Sequence, residues 1–329
     1  MKIGCLIPQI QLKENWMPSM DTCDISRYDG LAKMSVDSFK NFHPDIDLHY
    51  VNNDNWGEYY EKYYKTYDLY NFIGIVRWCL AYDLMVKFKY DKIILLGCDT
   101  ITCSRLDEFI NNNEDDVLAT LNYWIHESTE YWSTPITEVT LPNGNKEIDH
   151  LNINADVVCF NNPDALKKVI DLSIEHFTHF GEQGALNELA WVDKSYTVKI
   201  VDSPYPLSKV SYNCRAKGVP RCDMIEKGVL KNCWPHNIHG FPHEWLVSQN
   251  LLDNLPSPIK SWYVKDNKLF THDHKQIKVF HFVEGLGGRS IEKFNEFIDD
   301  FKNHWFNEET IKFFQEQCKC TQFFKKSND

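Results

Sequence analysis

The chain carries little that would commit it to a membrane or to a nucleic acid. No stretch approaches the ~18 consecutive apolar residues that a membrane-spanning helix needs. The segment Met1-Lys2-Ile3-Gly4-Cys5-Leu6-Ile7-Pro8 is apolar too briefly for a signal sequence with a cleavage site. Positive charge is scarce: 35 Lys and Arg face 47 Asp and Glu, a net charge of −12. A field of that sign repels phosphate backbones and excludes a general nucleic-acid-binding role. Zinc-finger spacing is lacking as well, because the 11 cysteines are scattered and only Cys318 and Cys320 stand close together. So many thiols without an export signal fit a reducing compartment. The expected location is the cytoplasm, with no transmembrane anchor; a homodimer is left open. A Gly-rich basic loop after the first apolar run is also absent, since that place reads Pro8-Gln9-Ile10-Gln11.

What is present is material for a sizeable core. The chain has 329 residues, 43% hydrophobic and 14% aromatic, enough for one large α/β domain or two small ones. The aromatic excess serves either ring-stacking grooves or large buried side chains.

The first half alternates strand and helix signals, which implies a mixed, mainly parallel central sheet flanked by helices. Residues 2–7 form a short apolar run ended by Pro8. Leu31, Met34, Ser35 and Phe39 recur at helical spacing, and a second strand follows at 47–51. Residues 59–70 are tyrosine-rich and polar, a helix or a lid-like segment, and 73–88 read as an amphipathic helix. Residues 92–96, Lys-Ile-Ile-Leu-Leu, form the strongest strand signal, suited to a central position covered on both faces. Further strands are expected at 117–121 and 151–160. A helix follows at 164–176 with Pro163 in its first turn, and another at 184–190. Residues 203–260 are irregular, 262–270 pairs with 277–282 as a hairpin, and 290–306 forms an amphipathic helix. With no repeat or low-complexity linker, one domain over residues 1–329 is the simplest organisation: 1–125 as a first half, 126–290 as a second, 291–329 as a helical tail.

The chemistry gathers at Leu96-Gly97-Cys98-Asp99-Thr100. A buried strand delivers the Asp99 carboxylate at its C-terminal edge, where open α/β sheets bind ligands. Such an oxygen either holds Mg²⁺ or Mn²⁺ or caps the following turn. Five further segments stand in order around it: Arg77 in the preceding helix, Asn154-Ala155-Asp156-Val157-Val158, Gly181-Glu182-Gln183-Gly184-Ala185-Leu186-Asn187, Tyr212-Asn213, and His281-Phe282 with Gly285 near the end. On these motifs, spread over roughly residues 1–290, the chain resembles the GT-A glycosyltransferases of family 8, the retaining group that includes glycogenin and the bacterial lipooligosaccharide galactosyltransferases.

That resemblance implies a Rossmann-like GT-A domain, with residues 1–125 as its nucleotide-binding half and 126–290 as its acceptor and catalytic half. It implies transfer of glucose or galactose, with retention, from a UDP-sugar to a glycan or glycoprotein acceptor. Asp99 and His281 would hold Mn²⁺ or Mg²⁺, while Arg77, Asp99, Asn154, Gly287 and Arg289 bind the donor. Glu182 and Gln183 match the positions facing the sugar's reactive carbon, and are equally suited to a helix N-terminus. The sequence departs from the family in two places. Gly97 stands where the first metal-binding Asp belongs, which weakens the expected metal site and makes metal-independent action an alternative. Asp156 replaces a glycine, as a substitute ligand, an acceptor contact or a solvated strand-end carboxylate. Arg289, in a Gly-rich stretch one residue longer than the family's, replaces its diphosphate-binding Lys or simply follows a hinge.

Two other readings are weighed. A sugar nucleotidyltransferase shares the broad fold but needs the basic loop missing after residue 8; a non-catalytic nucleotide-sugar-binding protein draws its support from Gly97. Lesser signals are Asn52-Asn53-Asp54, as a nucleotide contact or a turn, and His236, His239 and His243 near Cys233. The Pro and Gly between those histidines oppose a zinc site. The tail Gln322-Phe323-Phe324-Lys325-Lys326 is a frayed terminus or a membrane-surface contact. An unanchored enzyme of this kind suits a bacterial, viral or glycogenin-like setting.

Overall fold

The structure, a computed structural model, describes residues 1–10, 29–52, 54–55, 57, 62, 69–121, 136–140, 146–150, 153–175, 181–202, 210–211, 214–215, 262–270, 274–281 and 307–320. In chain order its elements begin with β1 (Ile3–Gln9), α1 (Asp29–Phe42), β2 (Asp47–Asn52), α2 (Leu69–Phe88), β3 (Lys92–Leu96), β4 (Thr100–Thr102) and α3 (Asp107–Asn111). Next come β5 (Val117–Leu121), β6 (Ile136–Thr140), β7 (Lys146–His150), β8 (Ile153–Phe160), α4 (Pro163–Glu175) and α5 (Gly181–Glu188). A π-helical turn (Leu189–Asp193) leads to β9 (Val198–Asp202), β10 (Val210–Ser211) and β11 (Cys214–Arg215). The series ends with β12 (Tyr263–Lys265), β13 (Lys268–Phe270), β14 (Gln276–Ile277), β15 (Val279–His281) and α6 (Glu308–Glu316).

Six strands form the central sheet in the order β2-β1-β3-β8-β5-β9. β1 runs parallel to β2 and β3, β8 runs against both β3 and β5, and β5 runs parallel to β9. The sheet is therefore mixed and mostly parallel, as expected, with β8 the one reversed strand. Side-chain alternation divides its two faces. Leu6, Ile93, Leu95, Val117, Ala119, Val158 and Phe160 pack toward α2, α4 and α5. Their neighbours Cys5, Ile7, Ile94, Leu96, Leu118, Val157 and Cys159 pack with Phe39 of α1 and Phe109 of α3. The period of two places apolar residues on both faces, and helices cover each.

Three expectations are corrected. β1 does not end at Pro8 but runs through it to Gln9, paired with β2. Beyond Leu6, β3 no longer flanks the strand, so the N–H missing from proline leaves no partner unsatisfied on that side. α2 is not amphipathic: Ile75, Trp78, Cys79, Leu80, Ala81, Leu84 and Met85 are all buried, leaving Val86 exposed. A helix apolar nearly all round is a core helix. The segment 262–270 does not pair as a unit with 277–282. It folds on itself as the β12–β13 hairpin through Asp266 and Asn267, both at positive φ (50° and 56°), a conformation these short polar residues tolerate. β13 keeps only the Phe270–Gln276 pair with β14, while β15 crosses to pair antiparallel with β4. The expected segments at 59–70 and 290–306 lie largely or wholly outside the described residues. Among the described residues no helix is long and apolar enough to cross a membrane.

His43 clips the end of α1 to the start of α3. The Leu106 N–H donates to its Nε2 at 2.9 Å, so the ring proton sits on Nδ1, 3.3 Å from the Phe39 carbonyl. Burial favours this neutral form and pushes the pKa from 6.5 down to about 4. The unfolded chain takes up that proton near pH 6.5 and the folded chain only near pH 4. The contribution of His43 is therefore complete above pH 6.5 and declines on acidification, by about 3 kcal/mol in total. In urea titrations across that range, His43→Gln should be about 1–2 kcal/mol less stable near neutrality, with a shallower acid-side decline than the native chain. Equal acid-side slopes in the two proteins contradict the neutral clip.

Candidate active site

The site is built on a defect in the sheet. Leu96, the last residue of β3, pairs with Val157 of β8. Against β5 the ladder slips, because Ala119 faces Val158 while Thr120 faces Asn154. Ala155, Asp156 and Val157 thus bulge from that edge, and their backbone groups need other partners. The Ala155 N–H reaches Gln183 Oε1 at 3.4 Å, and its carbonyl accepts from Arg77 Nη1 at 3.3 Å. The Asp156 N–H donates to Asn154 Oδ1 at 2.9 Å, and its carbonyl accepts from the Gly97 N–H at 2.7 Å. The Thr120 hydroxyl donates to the Val157 carbonyl at 3.2 Å.

α5 is pinned to the same strand by Asn187, which is fully buried. Its Oδ1 accepts from the Ile153 N–H and its Nδ2 donates to the Gln183 carbonyl, each at 2.8 Å. Glu182 and Gln183 occupy the first turn of α5, the helix N-terminus to which they were also suited, though the helix starts at Gly181 rather than 184. The side chain of Glu182 lies outside the described residues.

The bulge aims Asp156 at the end of β3. Arg77 Nη1 holds Asp156 Oδ1 at 2.6 Å, and the two side chains are 22% and 27% exposed. His281 Nε2 lies 3.7 Å from Asp156 Oδ2 and 3.4 Å from Asp99 Oδ1. It arrives on β15, whose register places His281 opposite Thr100. Asp99 is the third residue of the turn Gly97–Thr100, closed by the Thr100 N–H on the Gly97 carbonyl at 3.1 Å. The same carbonyl accepts from the Thr100 hydroxyl at 2.8 Å and from the Ser35 hydroxyl at 3.3 Å. Ser35, a polar residue on the buried stripe of α1, thus has a reason to be there.

A side chain at Gly97 would be crowded, most of all by the movable carboxylate end of Asp99. A β-carbon built on it would lie 2.7 Å from Asp99 Oδ1, 3.2 Å from Asp156 Cβ and 3.4 Å from Asp156 Cγ. Burial, reinforced by the nearby Asp99 and Asp156 carboxylates, pushes the Cys98 thiol up well above its ordinary value. Cys98 therefore stays protonated at neutral pH and is no nucleophile.

Six of the expected site residues meet here: Arg77, Asp99, Asn154, Asp156, Gln183 and His281. Gly287, Arg289, Tyr212, Asn213 and the His236–His243 loop lie outside the described residues. Asn52 belongs to a turn: its Oδ1 accepts from the Asp54 N–H at 3.1 Å, and its own N–H donates to Asn55 Oδ1 at 2.9 Å. The bulge, Asn187 and Ser35 were not singled out by sequence reasoning as parts of a site. Their signals are a polar residue on an apolar stripe and the last residue of the 181–187 motif.

Carboxylate oxygens and an imidazole suit Mg²⁺ or Mn²⁺. Six-coordinate bonds of about 2.1 Å set neighbouring ligand atoms about 3 Å apart. The separations of 3.4 and 3.7 Å at His281 are slightly wider than that. Among the described residues no three His, Cys, Asp or Glu side chains are already drawn into a closed ligand group. The arrangement is a partial shell that other oxygens would have to complete.

No family model matches the chain, and no curated protein matches it. It is similar to solved structures of glycosyltransferases. One is the galactosyltransferase LgtC in complex with donor and acceptor sugar analogues, 12% identical, covering 88% of each chain at a TM-score of 0.40. Another is the glycosyltransferase GlyE in Streptococcus pneumoniae TIGR4, 13% identical, covering 86% of this chain and 55% of that one at 0.40. A third is a glycosyltransferase involved in the glycosylation of the major capsid of PBCV-1, 13% identical, covering 73% and 92% at 0.39.

Asp99 and Arg77 should differ in their effect on stability. Asp99 sits on a turn whose hydrogen bonds run through backbone and hydroxyls, so Asp99→Ala should cost less than about 1 kcal/mol. Arg77→Met leaves the Ala155 carbonyl and the Asp156 carboxylate without their guanidinium and should cost about 2–4 kcal/mol. Chemical denaturation of both variants checks this, and an unfolded Asp99→Ala would make Asp99 structural.

Proposed function

We propose that the chain is a glycosyltransferase, moving glucose or galactose from a UDP-sugar to a glycan or protein acceptor, with metal assistance and retention of configuration. The observation that supports it most is the meeting of Asp99, Asp156, Arg77 and His281 at the carboxyl end of β3. There the parallel run of the sheet gives way to reversed β8, the kind of edge at which α/β sheets take nucleotides.

In this reading Asp99 and His281 hold Mn²⁺ or Mg²⁺. When bound, the cation neutralises charge on the departing diphosphate. Arg77, anchored through Nη1, turns its guanidinium toward the donor, and Arg289 with the backbone at Gly287 meets the diphosphate oxygens. Asn154 serves the donor site by fixing the bulge. Glu182 holds sugar hydroxyls. Gln183 offers its amide oxygen to the positive charge that develops on the anomeric carbon. Its present contact with the Ala155 N–H is long, at 3.4 Å, and so is easily given up. Asp156 is not needed as a base in a retaining transfer, and Arg77 occupies one of its oxygens.

A panel of UDP-, GDP- and CMP-sugars read by thermal shift tests the assignment. A UDP-sugar should raise the melting temperature most, and more so with Mn²⁺; at 100 times its Kd it adds ~2.7 kcal/mol. NMR of the fresh product, or of sugar freed by slow donor hydrolysis, should then show the donor's anomer before mutarotation. Equal shifts from all three classes would remove the donor assignment. An inverted product would hand Asp156 the role of base.

A further inference from the structure

We infer that Asp156 is the second acidic ligand of the cation site, occupying from β8 the space that a side chain at position 97 would fill from β3. This inference rests on the metal-assisted donor site proposed above. It concerns which strand supplies the carboxylate, and what Gly97 is for.

Three observations converge. Position 97 borders both acids: a β-carbon there would lie 2.7 Å from Asp99 Oδ1 and 3.2 Å from Asp156 Cβ, which would have to yield by a few tenths of an ångström. Gly97 thus leaves Asp99 and Asp156 uncrowded, and Asp156 puts a second carboxylate beside the end of β3. The two backbones are locked in this relation by the Gly97 N–H on the Asp156 carbonyl at 2.7 Å. Asp156 Oδ2 also faces the same imidazole nitrogen as Asp99 Oδ1, at 3.7 and 3.4 Å.

Two carboxylates and an imidazole nitrogen facing one another are a ligand set that a divalent cation would draw together. Arg77 Nη1 holds Asp156 through the other oxygen, Oδ1, at 2.6 Å. One carboxylate therefore serves two neighbours, with Oδ1 on the guanidinium and Oδ2 toward the cation. The bulge at Ala155–Val157 is what lets a residue of an inner strand point out at the sheet's edge in this way.

The test is Mn²⁺ affinity, read by electron paramagnetic resonance of free Mn²⁺ with UDP present and no transfer reaction required. Asp156→Asn keeps size and a hydrogen bond to Arg77, and should weaken Mn²⁺ binding at least tenfold, as Asp99→Asn does. Gly97→Asp alone should melt lower than the native chain, from crowding against Asp156. The double variant Gly97→Asp with Asp156→Gly should regain Mn²⁺ affinity to within about threefold of the native chain. If Asp156→Asn proves too unstable to titrate, the double variant decides alone, and failure of a folded double variant to bind overturns the exchange. Native-like Mn²⁺ binding by Asp156→Asn overturns the ligand role. A native chain that binds no Mn²⁺ but is still stabilised by UDP also overturns it, and leaves the donor reading standing. Loss of UDP stabilisation itself would mean that the donor reading has failed.

Discussion

The slipped ladder between β5 and β8 is the constraint on which the site depends. An ordinary pairing would keep residues 155–157 in the sheet with their side chains alternating between two buried layers, and a carboxylate there would have no place. The slip frees Asp156 to face outward, but it also strips buried peptide groups of their ladder partners. Leaving even two such groups unpaired would cost about 2–6 kcal/mol, a large part of the stability of a domain. Arg77, Asn154, Gln183, Thr120 and Gly97 each satisfy one of them. Residues that look like a set of ligand contacts are thus also the scaffold of the bulge.

This double use links packing to chemistry. α2 is a core helix that exposes little, yet it carries Arg77 at the one point where a guanidinium can reach both the bulge and its acid. α5 is fastened to β8 by Asn187, so the first-turn residues Glu182 and Gln183 share the rigidity of the sheet. β15 delivers His281 from the far end of the chain by pairing with β4, the strand that follows Asp99. Helices and strands distant in sequence carry Arg77, Asp156, Gln183 and His281, and only Asp99 rests on a short hydrogen-bonded turn, as a preorganised site requires.

Much of this was legible in the sequence. β3, β5 and β8 were readable because strands covered on both faces must be apolar throughout, and their polar ends mark where the sheet stops. The site residues were readable as an ordered set of short motifs. Their local task was not, because the slip between β5 and β8 is a matter of register between distant segments, which no periodicity encodes. For the same reason Gly97 read as a missing ligand. Only the close approach of Asp99 and Asp156 shows that a side chain there would be crowded. The hairpin at 262–270 was misplaced because Asp266-Asn267 was not recognised as a turn that closes the strand on itself, and that error hid the crossing of β15. Pro8 was taken as a stop, although a proline on a locally unflanked strand is tolerated.

The most direct measurement is anomalous scattering from crystals of the chain grown with Mn²⁺ and UDP. The account predicts one strong manganese peak bonded to Asp99, Asp156 and His281 Nε2 at about 2.1–2.3 Å, with diphosphate oxygens completing the shell. A manganese peak away from these three side chains, or bound UDP with no metal beside it, would contradict it.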